Sequence, residues 1–140
     1  MTEPASRPRP VTTPLGEPFW EACRRHELVA QRCSGCGAFR HYPQPLCPGC
    51  HAADFTWEKL SGKGTVYSYT ISHRAFHPAW ESHVPYVIAT IELAEGVRMV
   101  CDLLETDPAE IEIGLPVTVE FREMPGQGPM PRFKVALERA

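Results

Sequence analysis

Between Cys33 and Cys50 the chain reads CSGCGAFRHYPQPLCPGC. It contains two Cys-x-x-Cys pairs separated by ten residues, while the remaining cysteines, Cys23 and Cys101, stand alone. Two residues between sulfurs let one tight turn present both to the same ion, and structural zinc sites commonly draw four thiolates from two such turns. Gly37, directly after Cys36, suits the positive backbone angle that such a turn often needs. After Cys50 the equivalent place holds His51, whose backbone is less free. A thioredoxin-like redox motif needs a strand before one pair and a helix after it, and CSGCGAF and CPGCHAA are poor helix openings.

Cys33, Cys36, Cys47 and Cys50 are therefore expected to hold a metal ion. Zinc is preferred over iron, which would use the same ligands. Four thiolates fill the coordination shell, whereas a catalytic zinc keeps one position open, so the site reads as structural. Its net charge of about −2 has the sign that nearby Arg32 and Arg40 offset.

Outward from this cage the texture changes on both sides. Cys, Gly and Pro are dense from Gln31 to Trp57, which forbids long regular structure and leaves a metal in place of a core. Upstream, Pro18 can open a short helix in which Phe19, Trp20, Cys23 and Leu28 are candidate buried positions. The first stretch, MTEPASRPRPVTTPLGEP, lacks the apolar run of a secretory signal and reads as a flexible, proline-punctuated leader. The expected compartment is the reducing cytoplasm, which favours metal-bound thiolates over disulfides. No apolar run approaches the roughly 18 residues that a membrane helix needs.

Downstream of Gly62 the pattern alternates with period two, the mark of half-buried strands. The proposed inward sets are Tyr67, Tyr69 and Ile71; Val87, Ala89, Ile91 and Leu93; Val97, Met99, Cys101 and Leu103; Val117, Val119 and Phe121; and Phe133, Val135 and Leu137. Ala94–Gly96 is a tight connector that should make a hairpin of the second and third strands. Between the third and fourth, Asp107 as cap, Pro108 at the first position and Gly114 at the end suggest a short helix. Five strands with a helix in that place have the order of an OB-fold barrel. The expected fold is thus mainly β: a leader (1–17), an N-terminal helix (18–30), a rubredoxin-like zinc ribbon (31–60) and a five-stranded OB-fold (61–138). At 140 residues one sizeable core is expected, not two.

Charge bears on partners. The chain carries 14 basic and 17 acidic side chains, and the acidic excess lies wholly in residues 61–140, which hold seven basic and eleven acidic side chains. A nucleic-acid groove needs clustered Lys and Arg, so single-stranded nucleic-acid binding, with Tyr67 and Tyr69 stacking bases, is the secondary reading. Ser61–Gly64 (SGKG) lacks phosphate-loop spacing and reads as a strand entry. His73, His77 and His83 share a loop but have no accompanying carboxylate pattern. No nucleophile elbow, paired-carboxylate site or dinucleotide fingerprint is present.

The pieces FWEACRRHELVAQRCSGCG, YPQPLCPGC, SGKGTVYSYTISHR, PYVIATIELAEGVRMV, IGLPVTVEF and PRFKV, spanning Phe19 to Val135, resemble the DUF35 family. That family is described as a rubredoxin-like zinc ribbon joined to an acyl-CoA-associated OB-fold. The resemblance implies a noncatalytic companion of a thiolase-like enzyme that helps seat acyl-CoA, with the side-chain-cleaving aldolase of steroid degradation as the preferred partner. Trp20, Tyr42, Phe76 and Trp80 would then suit an interface, and Arg32, Arg40, Arg74 and His77 are candidate contacts for acyl-CoA. No membrane partner is expected.

Overall fold

The computed structural model describes residues 11–123 and 128–136. The first ten residues of the expected leader, and Leu137, lie outside them. Helix α1 (Glu17–Arg24) starts at Gly16 with proline in its first turn and buries Phe19, Ala22 and Cys23. It is shorter than 18–30: His26 turns to a positive φ of 60°, and Val29 already belongs to strand β1 (Val29–Cys33). Left-handed backbone cannot continue a right-handed helix, so the apolar run Leu28–Ala30 is buried as strand entry.

Three short strands form the ribbon sheet, in the order β2 (Phe39–Arg40), β1, β3 (Phe55–Lys59), all antiparallel. Strand β4 (Lys63–Ser72), β5 (Tyr86–Leu93), β6 (Arg98–Leu104), β7 (Pro116–Arg122) and β8 (Met130–Val135) close a barrel in the order β4-β5-β6-β8-β7. The β6–β8 pair is the parallel one, as expected of strands joined by a crossover rather than a hairpin. This is the OB-fold arrangement read from the sequence.

Alternation holds best on β5, where Val87, Ala89, Ile91 and Leu93 are buried and their neighbours half-buried. Gly96, at φ 95°, turns the β5–β6 hairpin. On β4 the expected inward set needs correction. A register shift between Val66 and Ser68 sends Val66 inward at 1% exposure and leaves Tyr67 on the outside at 47%. A bulge adds a residue to one strand and so moves the alternation out of phase. Ile71, opposite Val87 beyond the bulge, is half-buried, and Tyr69 keeps 38% exposure.

The expected helix after β6 is a single 3-10 turn, Pro108–Glu110, with Asp107 Oδ1 accepting from the Ala109 N–H at 3.0 Å. Ile111 leaves it in extended backbone and is buried under the barrel, so Gly114, at φ 91°, turns the following loop rather than ending a helix. Gly64 allows β4 to press on β5: an added Cβ would stand 2.5 Å from the Glu92 carbonyl oxygen. The SGKG stretch is thus a strand entry. One apolar cluster runs from Phe19 and Cys23 through Leu60 to Ile91 and Phe133, so helix, ribbon edge and barrel share a single core.

Candidate functional site

The two Cys-x-x-Cys turns are copies of one another. The Gly37 N–H donates to the Cys33 carbonyl and the His51 N–H to the Cys47 carbonyl, both at 2.9 Å. Gly37 has φ 78° and His51 φ 66°, so histidine adopts the backbone that glycine takes in the first turn. Strand β1 delivers Cys33, and β3 holds Phe55 opposite it.

The four sulfurs all lie within 4.8 Å of one another. Cys33 Sγ is 3.5 Å from Cys50 Sγ, and Cys36 Sγ is 3.7 Å from Cys47 Sγ. A tetrahedron with Zn–S bonds of about 2.3 Å has edges of about 3.8 Å, so the donor set fits a tetrahedral ion. Backbone donors favour the thiolate form that metal binding requires. The Cys36 and Gly35 N–H groups point at Cys33 Sγ and hold that thiol below its ordinary range. Those of Cys50 and Gly49 pull Cys47 down to about 6. Cys50 receives an equivalent bond from Ala52, but proximity to Cys33, desolvation and the other two sulfurs outweigh it and push it up to about 11.

Arg32 and Arg40 separate in the fold. Arg32 is exposed, donates to the Gly37 carbonyl at 3.0 Å and pairs with Glu58 at 3.1 Å. It braces the first turn from outside. Arg40 is 5% exposed; it donates to Gln31 Oε1 and the Gln44 carbonyl and lies over the Phe55 ring. It ties β1 and β2 to the chain entering the second turn and is too buried to meet a coenzyme A phosphate.

A second feature is a groove of about 620 Å³ between ribbon, helix and barrel. Trp20, Tyr42, Phe76, His77 and Trp80, five of the sequence-derived contact residues, converge on it. Helix α1 brings Trp20, the ribbon brings Tyr42, and the β4–β5 loop brings the other three. Tyr42 also fastens ribbon to barrel, its hydroxyl oxygen accepting from the Val100 N–H at 3.0 Å. His77 Nδ1 accepts from the Ala79 N–H and caps the 3-10 turn Pro78–Trp80. Arg74 lies over the Phe76 ring, 5.4 Å from its centroid, beside the groove. Tyr42, Phe76 and Val100 are all more than half exposed, which makes the rim apolar.

Sequence reasoning missed the polar groups of this groove. Arg132 Nη1 reaches both carboxylate oxygens of Asp102, at 2.7 and 2.6 Å, joining β8 to β6. The His41 ring is tilted against those of Phe19 and Tyr42, with centroids 5.3 and 4.1 Å away, and burial pushes its imidazole down to about 4. Only cross-strand register pairs Asp102 with Arg132, so the sequence held no signal for that contact. His41 was hidden in the Cys-rich segment, where no periodicity marks an inward position. Tyr67, 47% exposed, carries Arg98 over its ring at 3.7 Å from the centroid, and Arg98 in turn pairs with Glu92.

Comparison with known proteins follows the same division. Residues 20–56 match the family model described as ChsH2, rubredoxin-like zinc ribbon domain, and residues 57–122 match ChsH2, C-terminal OB-fold domain. The 3-oxo-4,17-pregnadiene-20-carboxyl-CoA hydratase alpha subunit of Mycobacterium tuberculosis is 36% identical, over 88% of this chain and 39% of that protein. The chain spans about two fifths of the length of the hydratase alpha subunits among its relatives. A DUF35 domain-containing scaffold protein of Methanocaldococcus jannaschii is 38% identical, over 74% of each chain. The solved structure described as the Ltp2-ChsH2(DUF35) aldolase superposes with a TM-score of 0.84 at 40% identity, covering 92% of this chain and 100% of that one. No helix among the described residues is long and apolar enough to cross a membrane. With its four-cysteine ribbon, closed five-stranded barrel and matches across both parts, the chain belongs to the DUF35 family, in its ChsH2-type form of zinc ribbon followed by OB-fold.

Proposed function

We propose that this chain is a noncatalytic subunit that associates with a thiolase-like acyl-CoA enzyme and helps position its substrate. The observation that carries this reading is the full-length likeness to the DUF35 chain of the Ltp2-ChsH2(DUF35) aldolase. The name of the Mycobacterium tuberculosis relative supports a steroid acyl-CoA as the substrate class, and the scaffold relative supports a structural role. The preferred partner is accordingly the side-chain-cleaving aldolase of steroid degradation, acting in the cytoplasm.

Within this reading Cys33, Cys36, Cys47 and Cys50 hold a structural Zn²⁺, whose contribution when bound is folding energy for the ribbon. The ribbon is assigned residues 31–60 and the OB-fold 61–138, behind the leader (1–17) and the helical segment (18–30). Trp20, Tyr42, Phe76, His77 and Trp80 form the contact surface toward acyl group or partner, because aromatic anchors carry most interface energy. Arg74, beside Phe76, is the cation closest to that surface among the proposed contacts. Reactivity is assigned to the partner, since a four-thiolate ion has no open position for substrate.

Co-expression with a neighbouring thiolase-like protein tests the proposal. A stable complex with aldolase activity on a steroid acyl-CoA, absent from either chain alone, is expected. Failure to co-purify, or turnover by this chain by itself, overturns it.

A further inference from the structure

The chain between the two cysteine pairs is pinned to the ribbon sheet at Gln44. Gln31, fully buried on β1, uses its side-chain amide as a strand uses a peptide group. Its Nε2 donates to the Gln44 carbonyl at 3.1 Å, and its Oε1 accepts from the Gln44 N–H at 2.8 Å. Such an exchange of two bonds is the pattern of an antiparallel pair, made here to a residue outside the strands. Arg40, opposite Gln31 in the β1–β2 register, closes the same contact. Its Nε donates to Gln31 Oε1 and its Nη2 to the Gln44 carbonyl, both at 3.0 Å.

Two features hang on Gln44. Three residues after it comes Cys47, which opens the second turn. Two residues before it comes Tyr42, whose hydroxyl oxygen accepts from the Val100 N–H at the groove rim. His41, Tyr42 and Pro43 make up the loop that Arg40 and Gln44 close, and all three line the groove. A short loop with fixed ends has little freedom left, so whatever fixes Gln44 also fixes where Tyr42 stands. Charge ties this latch to the metal site. Among the described residues Arg40 donates to neutral groups alone, and a buried guanidinium is costly unless a negative charge balances it. Gln31 and Cys33 lie two residues apart on β1 and share one of its faces. A four-thiolate ion carries about −2, so loading the site supplies the sign that balances Arg40.

We infer that Gln31 and Arg40 are positioning residues that couple the cysteine site to the groove: the contact that seats the second cysteine turn also sets Tyr42 against the barrel. The coupling rests on the reading of the four cysteines as a metal site, and it gives the ion a role beyond folding the ribbon. With metal bound, the latch keeps Tyr42 on Val100 and the groove rim in shape. Without metal, the loop that carries Tyr42 is released. This holds whichever acyl group or partner the groove meets.

Hydrogen exchange at the Val100 amide of the full-length chain reads the coupling directly, because that N–H is bonded to Tyr42. Tyr42→Phe removes the acceptor and gives the rate for full release. In the zinc-loaded chain, Gln31→Leu should speed Val100 exchange about tenfold, as expected when buried hydrogen-bonding groups lose a partner. Amides in Tyr86–Leu93 should exchange as before, and the zinc should stay bound, which separates lost positioning from lost folding. Arg40→Met should act in the same way. Arg40→Lys, which keeps a cationic donor for the Gln44 carbonyl, should fall between Arg40→Met and the unsubstituted chain. Chelation of the unsubstituted chain should also release Val100, a measurement that needs no variant to fold. Val100 exchange left unchanged by chelation, or by Gln31→Leu with zinc retained, overturns the coupling alone. A purified chain that binds no zinc overturns the reading of the cysteines and the coupling with it.

Discussion

Ribbon and barrel reach order by opposite routes within one continuous core. In the barrel, Ile91 and Phe133 are fully buried, and the alternation that puts them there also specifies which strands pair. In the ribbon, β2 is two residues long, and Cys36 and Cys50 are exposed. Four sulfurs held 3.5 to 4.8 Å apart do there what apolar area does in the barrel. The difference is one of dependence: a side-chain set bound to one ion fails all at once, whereas a packed core loses stability in steps.

The largest expected effect breaks the comparison at its ribbon end. Chelation of the metal, or Cys33→Ser, should abolish ribbon structure, because about 10–16 kcal/mol of metal binding energy in small zinc modules is folding energy. Amide exchange in Val29–Cys33 and Phe55–Lys59 should become fast while Tyr86–Leu93 stays protected. If both segments open together, ribbon and barrel are one unit and the contrast fails. At the barrel end, Phe133→Ala should cost about 3–5 kcal/mol in a denaturant titration and leave metal stoichiometry unchanged. Loss of the metal with that substitution would equally sink the contrast.

At the seam between them lies His41. Burial lowers its folded pKa to about 4, against about 6.5 in an unfolded chain. Between those values the unfolded state binds more protons, so stability is full above about pH 6.5 and falls as pH drops toward 4. The loss should be on the order of 3 kcal/mol. Replacing His41 with Phe should remove that slope from a pH series of unfolding measurements; an unchanged slope would place the titration elsewhere.

What the sequence revealed follows the same two routes. The four-cysteine cluster was legible because the Cys-x-x-Cys spacing is local, and the β5 face because alternation is local too. Tyr67 was misplaced because the bulge at Val66/Ser68 leaves no mark in composition. The helix was overextended because Leu28–Ala30 is apolar in either state, and the stop came from the backbone of His26. The groove aromatics were recognised as interface candidates, yet Asp102 and Arg132, 30 residues apart, meet through a parallel pairing that no local pattern announces.

The smallest expected effect sharpens the comparison inside the ribbon itself. The two turns share hydrogen bonds and backbone, yet one ends in Gly37 and the other in His51. A side chain in left-handed backbone costs roughly 1–2 kcal/mol, and glycine gives back part of that through the entropy of the unfolded chain. His51→Gly should therefore stabilise the metal-bound ribbon by about 1 kcal/mol, read as tighter retention of metal against a chelator. Gly37→Ala should do the reverse by a similar amount, since the nearest atom to an added Cβ is Arg32 Nη2 at 3.9 Å and space is not the obstacle. Opposite signs of comparable size make backbone conformation the difference between the turns. If His51→Gly instead weakens metal retention, the imidazole contributes an interaction of its own, and the likeness of the two turns ends at their backbones.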